Sequence, residues 1–157
     1  MDLKSFNRLS KNVLFDYFTK RKENDMKILI AEDDFIARRA LKEIINQLGD
    51  CDVVIDGEEA VEAFRLAWEE NDPYDLICLD IMMPNMDGKE ALKNIRDIEK
   101  TLGIKGSKEV KVIMVTALGD PKTVFESYYQ SGATSYVVKP VDKDKLINEI
   151  RSLGLID

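Results

Sequence analysis

Four short apolar runs, each closed by polar residues, constrain this chain more than any other feature. Ile28-Leu29-Ile30-Ala31 leads into Glu32, Asp33 and Asp34; Asp75-Leu76-Ile77-Cys78-Leu79 leads into Asp80; Val112-Ile113-Met114-Val115 leads into Thr116; Tyr136-Val137-Val138 leads into Lys139. Runs of this length, rich in branched residues and bounded by turn formers, read as buried strands. Stripes at helical spacing lie between them, and strands alternating with helices imply βα units and a parallel sheet covered on both faces. A short Val53-Val54-Ile55 strand completes five units. Open sheets of this kind bind ligands outside the carboxyl ends of their strands. The acids, the hydroxyl and the ammonium are therefore expected at one edge.

The intervening helices are read from the same periodicity. Ile36, Ala40, Leu41, Ile44, Ile45 and Leu48 form a core-facing stripe, with Gly49 as its C-cap. The helix after Gly57 is expected to bury Ala60, Val61, Phe64 and Ala67 or Trp68 and to stop before Pro73. A third begins around Asp87 to Glu90 and carries Leu92, Ile95 and Ile98. A fourth starts near Asp120-Pro121 and closes at Ser131-Gly132; the last follows Pro140 and carries Leu146, Ile147 and Ile150. Between the third helix and a strand over 110–115, residues 100–108 read as a long solvated loop.

At 157 residues the chain has the size of one domain. Its net charge of -7 disfavours nonspecific attraction to nucleic acid or an anionic membrane, so no direct nucleic-acid binding is expected. With no histidine and two cysteines, zinc sites and Ser-His-Asp triads lack their parts. Cys51 and Cys78 read as buried or half-buried thiols of a cytoplasmic protein, and no apolar run of about 18 residues spans a membrane. Residues 1–25 differ in composition: Lys4, Arg8, Lys11, Lys20, Arg21 and Lys22 interleave with apolar residues, suggesting a basic amphipathic helix rather than a signal peptide. The expected organisation is an extension over 1–25, a domain over 26–153 and a short tail over 154–157, with no linker or output domain.

A carboxylate at Asp80 is a poor nucleophile toward carbonyls but forms an aspartyl phosphate readily. Crowding it against Glu32 and Asp33 is repulsive, and a divalent cation removes the repulsion. Mg2+ suits such a site, since it takes hard oxygens from one or two carboxylates and a phosphate. Lys139 offers a mobile positive charge and Thr116 a hydroxyl donor to two further phosphoryl oxygens.

The ordered motifs Ile28 to Asp33, Asp80 with Met83-Pro84-Asn85-Met86-Asp87-Gly88, Val115-Thr116-Ala117 and Gly132 to Pro140 resemble the receiver domain of two-component response regulators. The resemblance covers about Met26 to Leu153. It implies an α/β, doubly wound five-stranded parallel sheet with flavodoxin-like order 2-1-3-4-5 and helices on both faces. It places the phospho-acceptor on Asp80, the family's hydroxyl on Thr116 and its lysine on Lys139. The Mg2+ ligands become Glu32, Asp33, Asp80 and the backbone carbonyl of Met82, leaving Asp34 as a helix N-cap. Glutamate replaces an aspartate of the family pattern at Glu32 and lengthens that arm. Tyr136 takes the place of the aromatic that follows Thr116 inward when the site is phosphorylated.

The implied protein is a signalling switch rather than a classical enzyme. Its phosphodonor would be a histidine kinase or histidine phosphotransfer protein. The downstream protein target is unnamed, and the implied docking face is about Asp120 to Arg151, where Phe125, Tyr128 and Tyr129 lie. Two alternatives stand beside this reading: a phosphorylation-independent pseudo-receiver, and a haloacid-dehalogenase-type phosphatase. The latter enzymes resemble one another in an acid two residues after the nucleophile, where this chain has Met82. Met82 and Leu118 also lack the polar groups that would orient an attacking water. Phospho-Asp80 is accordingly expected to persist for minutes or longer in magnesium buffer, measured by intact mass over time; loss within seconds would contradict it.

Overall fold

The computed structural model describes residues 26–117 and 132–157. Strands β1 (Met26–Ala31), β2 (Gly49–Val54), β3 (Leu76–Asp80), β4 (Lys111–Thr116) and β5 (Ser135–Val138) form one parallel sheet in the order β2-β1-β3-β4-β5. The order reverses at β1, which pairs with β2 on one side and β3 on the other. This is the expected fold, with its switch point beside the carboxyl ends of β1 and β3. Helices α1 (Phe35–Ile45), α2 (Gly57–Glu69), α3 (Gly88–Thr101) and α4 (Lys143–Ser152) are those among the described residues. The block over 1–25, the helix expected from Asp120-Pro121 as far as Ser131, and residues Leu118, Phe125, Tyr128 and Tyr129 lie outside the described residues.

Strand side chains alternate between two cores. Leu29, Ala31, Ile77, Leu79, Val112 and Met114 face Phe64 of α2 and Leu92 and Ile95 of α3. Ile28, Ile30, Cys78, Ile113 and Val115 face Leu41 and Ile45 of α1 and Leu146 and Ile150 of α4. Covering on both faces explains why the central strands are continuous apolar runs instead of alternating ones. Leu155 and Ile156, in the short tail, pack partly buried against the second core.

All four helices start on an aspartate. Asp34, Asp56, Asp87 and Asp142 accept hydrogen bonds from the backbone N–H of Ala37, Glu59, Glu90 and Lys145 at 2.8, 2.8, 2.9 and 3.0 Å. Each satisfies an amide that the first turn leaves without a partner.

The structure corrects several boundaries. Gly49 opens β2 and does not cap α1, which ends at Ile45 with Asn46 as C-cap. A Cβ on Gly49 would lie 2.0 Å from the Met26 carbonyl oxygen, so glycine is required there by close approach of the two strands. In α1 only Leu41 and Ile45 are fully buried, while Ile36 is 77% exposed. Ile55 lies beyond β2 and is 48% exposed.

In α3 the buried face runs through Ala91, Leu92, Ile95 and Glu99, and Ile98 is only half-buried. Glu99 pairs with Arg96 and accepts the Val110 N–H at 2.7 Å. Arg96 in turn donates to the carbonyls of Val110 and Gly132 at 3.0 and 2.8 Å, tying α3 to both β4 and the entry to β5. Burial raises the Glu99 pKa, with Arg96 acting in the opposite sense. The stretch over 100–108 is not wholly solvated either: α3 runs to Thr101, Ile104 is buried, and Gly106–Lys108 form a 3-10 turn. Glu99→Ala strands the buried Val110 N–H and frees Arg96, and should cost about 2 kcal/mol or more in urea unfolding. Ile98→Ala should cost clearly less than Ile95→Ala, whose loss falls in the range of about 2–5 kcal/mol for buried aliphatic truncation.

Candidate functional site

Parallel register brings the strand ends level. Ala31 is opposite Leu79, Asp80 opposite Val115 and Thr116 opposite Val138, so Glu32, Asp80, Thr116 and Lys139 emerge at one edge. Carboxylate oxygens of Glu32, Asp33 and Asp80 all lie within 4.8 Å of one another. Glu32 and Asp80 are buried, at 0% and 5% exposure, while Asp33 faces solvent. Lys139 reaches across from β5, its Nζ 2.7 Å from Glu32 Oε2 and 3.4 Å from Asp80 Oδ1. Thr116 is buried at the end of β4, and its carbonyl accepts the Lys139 N–H at 2.6 Å. Tyr136, half-buried in β5 beside Met114, packs on the core shared with α2 and α3.

The Glu32 carboxyl is held by few partners. Its Oε1 accepts the Asp34 N–H at 3.1 Å. Its Oε2 is buried, with the Lys139 ammonium against it as ion-pair partner. Burial raises the Glu32 pKa, with the Asp80 charge adding to the rise and Lys139 countering it. Burial works against the charge of Lys139, but Glu32 and Asp80 outweigh it and lift its pKa above the ordinary value.

The loop after Asp80 is tied down by groups the sequence reading did not single out. Asn85, at φ 65°, donates through its side-chain amide to Asp56 Oδ2 at 2.8 Å, and the Gly57 N–H donates to the Met86 carbonyl at 3.0 Å. Its hydrogen bonds to the Glu59 N–H and to Asn85 hold the Asp56 pKa below the ordinary range. Gly88 opens α3 so close to the end of β3 that a Cβ would lie 2.1 Å from the Asp80 carbonyl oxygen. Met82, in this loop, is 75% exposed. Arg38 donates to the carbonyls of Glu32 and Asp33 at 3.0 and 3.2 Å, fixing the β1–α1 turn. Asp56 sits before Gly57-Glu58-Glu59 and was recognisable as a cap signal; nothing local marks Asn85 or Arg38.

Fold and site together define a doubly wound α/β protein with a strand-end acidic pocket closed by a lysine. The chain belongs to the response regulator receiver domain family, whose model matches residues 28–151. It is 33% identical over 124 residues to the chemotaxis protein CheY of Bacillus subtilis, covering 79% of this chain and 93% of that one. CheY of Treponema pallidum is 30% identical over 129 residues, with 81% of each chain covered. A chain of the CheX–CheY–BeF3–Mg2+ complex from Borrelia burgdorferi superposes with a TM-score of 0.69 at 31% identity, covering 82% of this chain and 89% of that one. A chain of the co-crystal of the Saccharomyces cerevisiae histidine phosphotransfer protein Ypd1 with the receiver domain of Ssk1 gives 0.72 at 27% identity, covering 85% and 92%. Among the described residues no helix is long and apolar enough to cross a membrane.

The raised Glu32 pKa has a consequence for stability. A carboxyl whose folded pKa exceeds its unfolded value contributes stability below the unfolded value, near 4.3, and loses it as pH rises through the folded one. Glu32→Gln should therefore stabilise the metal-free protein at neutral pH. The gain should shrink toward zero as pH falls well below the unfolded value of about 4.3, where Glu32 becomes protonated in both states. Urea midpoints across pH in the presence of a chelator measure this.

Proposed function

We propose that the protein is a phospho-accepting switch in which Asp80 takes a phosphoryl group from the phosphohistidine of a histidine kinase or histidine phosphotransfer protein. The observation that carries the reading is the convergence of Glu32, Asp33, Asp80 and Lys139 at the β1/β3 switch point of a receiver-family chain. These 157 residues hold no histidine, so the phosphohistidine donor lies outside them. The Ssk1 receiver co-crystallised with Ypd1 is a structural relative, which supports a partner of this kind.

In the transfer, the donor's P–N bond breaks as a bond forms between phosphorus and an Asp80 carboxylate oxygen. The leaving imidazole nitrogen keeps the electron pair. Lys139 is placed to follow the charge, leaving Asp80 Oδ1 for a phosphoryl oxygen while Glu32 holds its ammonium near. The Thr116 hydroxyl is proposed to donate to another phosphoryl oxygen.

The residues fit a bound Mg2+: the donor set is three hard carboxylates, and one buried Glu32 oxygen has only an ammonium against it. Glu32, Asp33, Asp80 and the Met82 carbonyl would hold the ion. When bound, it supplies charge neutralisation for the crowded acids and the transferring oxygens. The CheX–CheY–BeF3–Mg2+ complex is a relative, which supports the assignment.

Movement of Thr116 toward the phosphoryl group is proposed to draw the β4 end inward and Tyr136 after it, changing the surface offered to a downstream protein. The carbonyl of Thr116 is already bonded to the Lys139 amide, so the two groups that would touch the phosphoryl share one backbone link. A hydrolase reading is weaker, because exposed Met82 gives a phosphatase no acid two residues beyond the nucleophile.

Intact mass after incubation with acetyl phosphate tests the reading. The wild type should gain one phosphoryl group, about 80 Da, only with Mg2+, and Asp80→Asn should gain none. No adduct under conditions that label a control receiver would overturn phospho-acceptance and favour a phosphorylation-independent binding module.

A further inference from the structure

Residues 81–87 connect β3 to α3. Ile81 and Met83 are buried in the core shared with α2 and α3, while Met82 between them is 75% exposed. Apolar burial is non-directional, so it sets how deep this loop sits and not which way its peptide groups point. Hydrogen bonds supply the direction. The Gly88 N–H donates to the Ile81 carbonyl at 2.8 Å and the Met86 N–H to the Pro84 carbonyl at 2.7 Å, both within the loop or its junction with α3. Two further bonds reach across to α2. The Asn85 amide donates to Asp56 Oδ2 at 2.8 Å, and the Gly57 N–H donates to the Met86 carbonyl at 3.0 Å.

The Asp56 end of this bridge is itself held in place. Asp56 is 6% exposed, its Oδ1 accepts the Glu59 N–H at 2.8 Å, and the Glu59 carboxylate accepts the Ile55 N–H at 3.0 Å. These two bonds lock the start of α2 from both sides, much as a capping box does. The second oxygen, Oδ2, goes to Asn85, 29 positions away in sequence. Asparagine holds a left-handed turn conformation such as φ 65° by itself, without a distant partner. The bond to Asp56 therefore adds something the turn does not need: it references the loop to α2. Neither residue belongs to the carboxylates gathered at the pocket.

We propose that Asn85 and Asp56 are a positioning pair for the cation: their hydrogen bond holds the loop after Asp80 so that the Met82 carbonyl is presented to Mg2+. The inference rests on the Mg2+ reading given above and adds to it two residues that do not touch the ion. Met82 lies between two directional ties, at Ile81 on one side and at Asn85 on the other. Pro84 narrows the conformations between them, fixing its own φ and restricting Met83. Holding Asn85 thus limits how the peptide after Met82 can turn. Mg2+ demands near-ideal octahedral geometry at short distances, so a ligand turned aside is lost. Groups that orient ligands from outside govern affinity for that reason.

Calorimetric titration of the full-length protein with Mg2+ tests the pair. Asn85→Asp sets a second carboxylate against Asp56 and breaks the bond. Its added negative charge alone would tighten Mg2+ binding. Positioning predicts the opposite, a loss of about tenfold in affinity. Adding Asp56→Asn restores the bond with donor and acceptor exchanged and keeps a good helix cap at position 56, so affinity should return close to the wild-type value. Asn85→Gly keeps the left-handed backbone and removes only the side chain, and should weaken binding as Asn85→Asp does. Wild-type affinity in every variant overturns this inference and leaves the Mg2+ reading standing. A double variant as weak as Asn85→Asp also overturns it, since the loss then follows from the substitution at position 85 and not from the bond. A wild type that binds no Mg2+ overturns the Mg2+ reading and this inference with it.

Discussion

Two buried carboxylates, Glu32 and Asp80, share one ammonium, and the working edge of the molecule depends on that sharing. Like charges brought out of water at short range repel strongly, and each also loses hydration. Lys139 counters both costs, while burial and the Asp80 charge raise the Glu32 pKa. The site is thus held short of positive charge by its own geometry. Such a pocket has a standing attraction for a cation.

Backbone register does the positioning. Every acidic or basic group of the pocket sits on, or just after, the last residue of a parallel strand, and the strands are locked laterally by continuous apolar packing on both faces. A slip of one residue in any strand would turn its core side chains to the opposite face, so the core fixes the site to the precision of the sheet itself. The helices add orientation more than position. Each described helix begins on an aspartate cap, and two of those caps, Asp34 and Asp87, lie in the turns that follow Glu32-Asp33 and Asp80.

Much of this was legible in the residue pattern. Strands buried on both faces are written as uninterrupted apolar runs, and their last polar residues marked the site without need of tertiary detail. Legibility failed where one residue type serves two causes. Gly49 looks like a helix stop, yet it is glycine because the Met26 carbonyl occupies the space of a Cβ. Ile98 fits the apolar stripe of α3, but the buried position goes to Glu99, whose charge is admitted only because Arg96 and the Val110 N–H, distant in sequence, meet it there. Periodicity weighs a side chain by its own hydrophobicity and is blind to partners. The same blindness hid Asn85, whose role exists only through Asp56.

That last pair shows how the loop after Asp80 differs from the rest of the pocket. Glu32, Thr116 and Lys139 emerge directly from strands, but the residues after Asp80 cross to α3 through a turn that the sheet does not restrain. The Asn85 side chain on Asp56, the Gly57 amide on the Met86 carbonyl and the Gly88 amide on the Ile81 carbonyl close that turn onto the start of α2 and back onto β3. Asn85 adopts a left-handed conformation that an amide side chain tolerates better than most, and the bond to Asp56 holds it there. Met82 stands exposed within this loop, between the ties at Ile81 and Asn85. The result is a rim around the charged pocket that is tied to both α2 and β3.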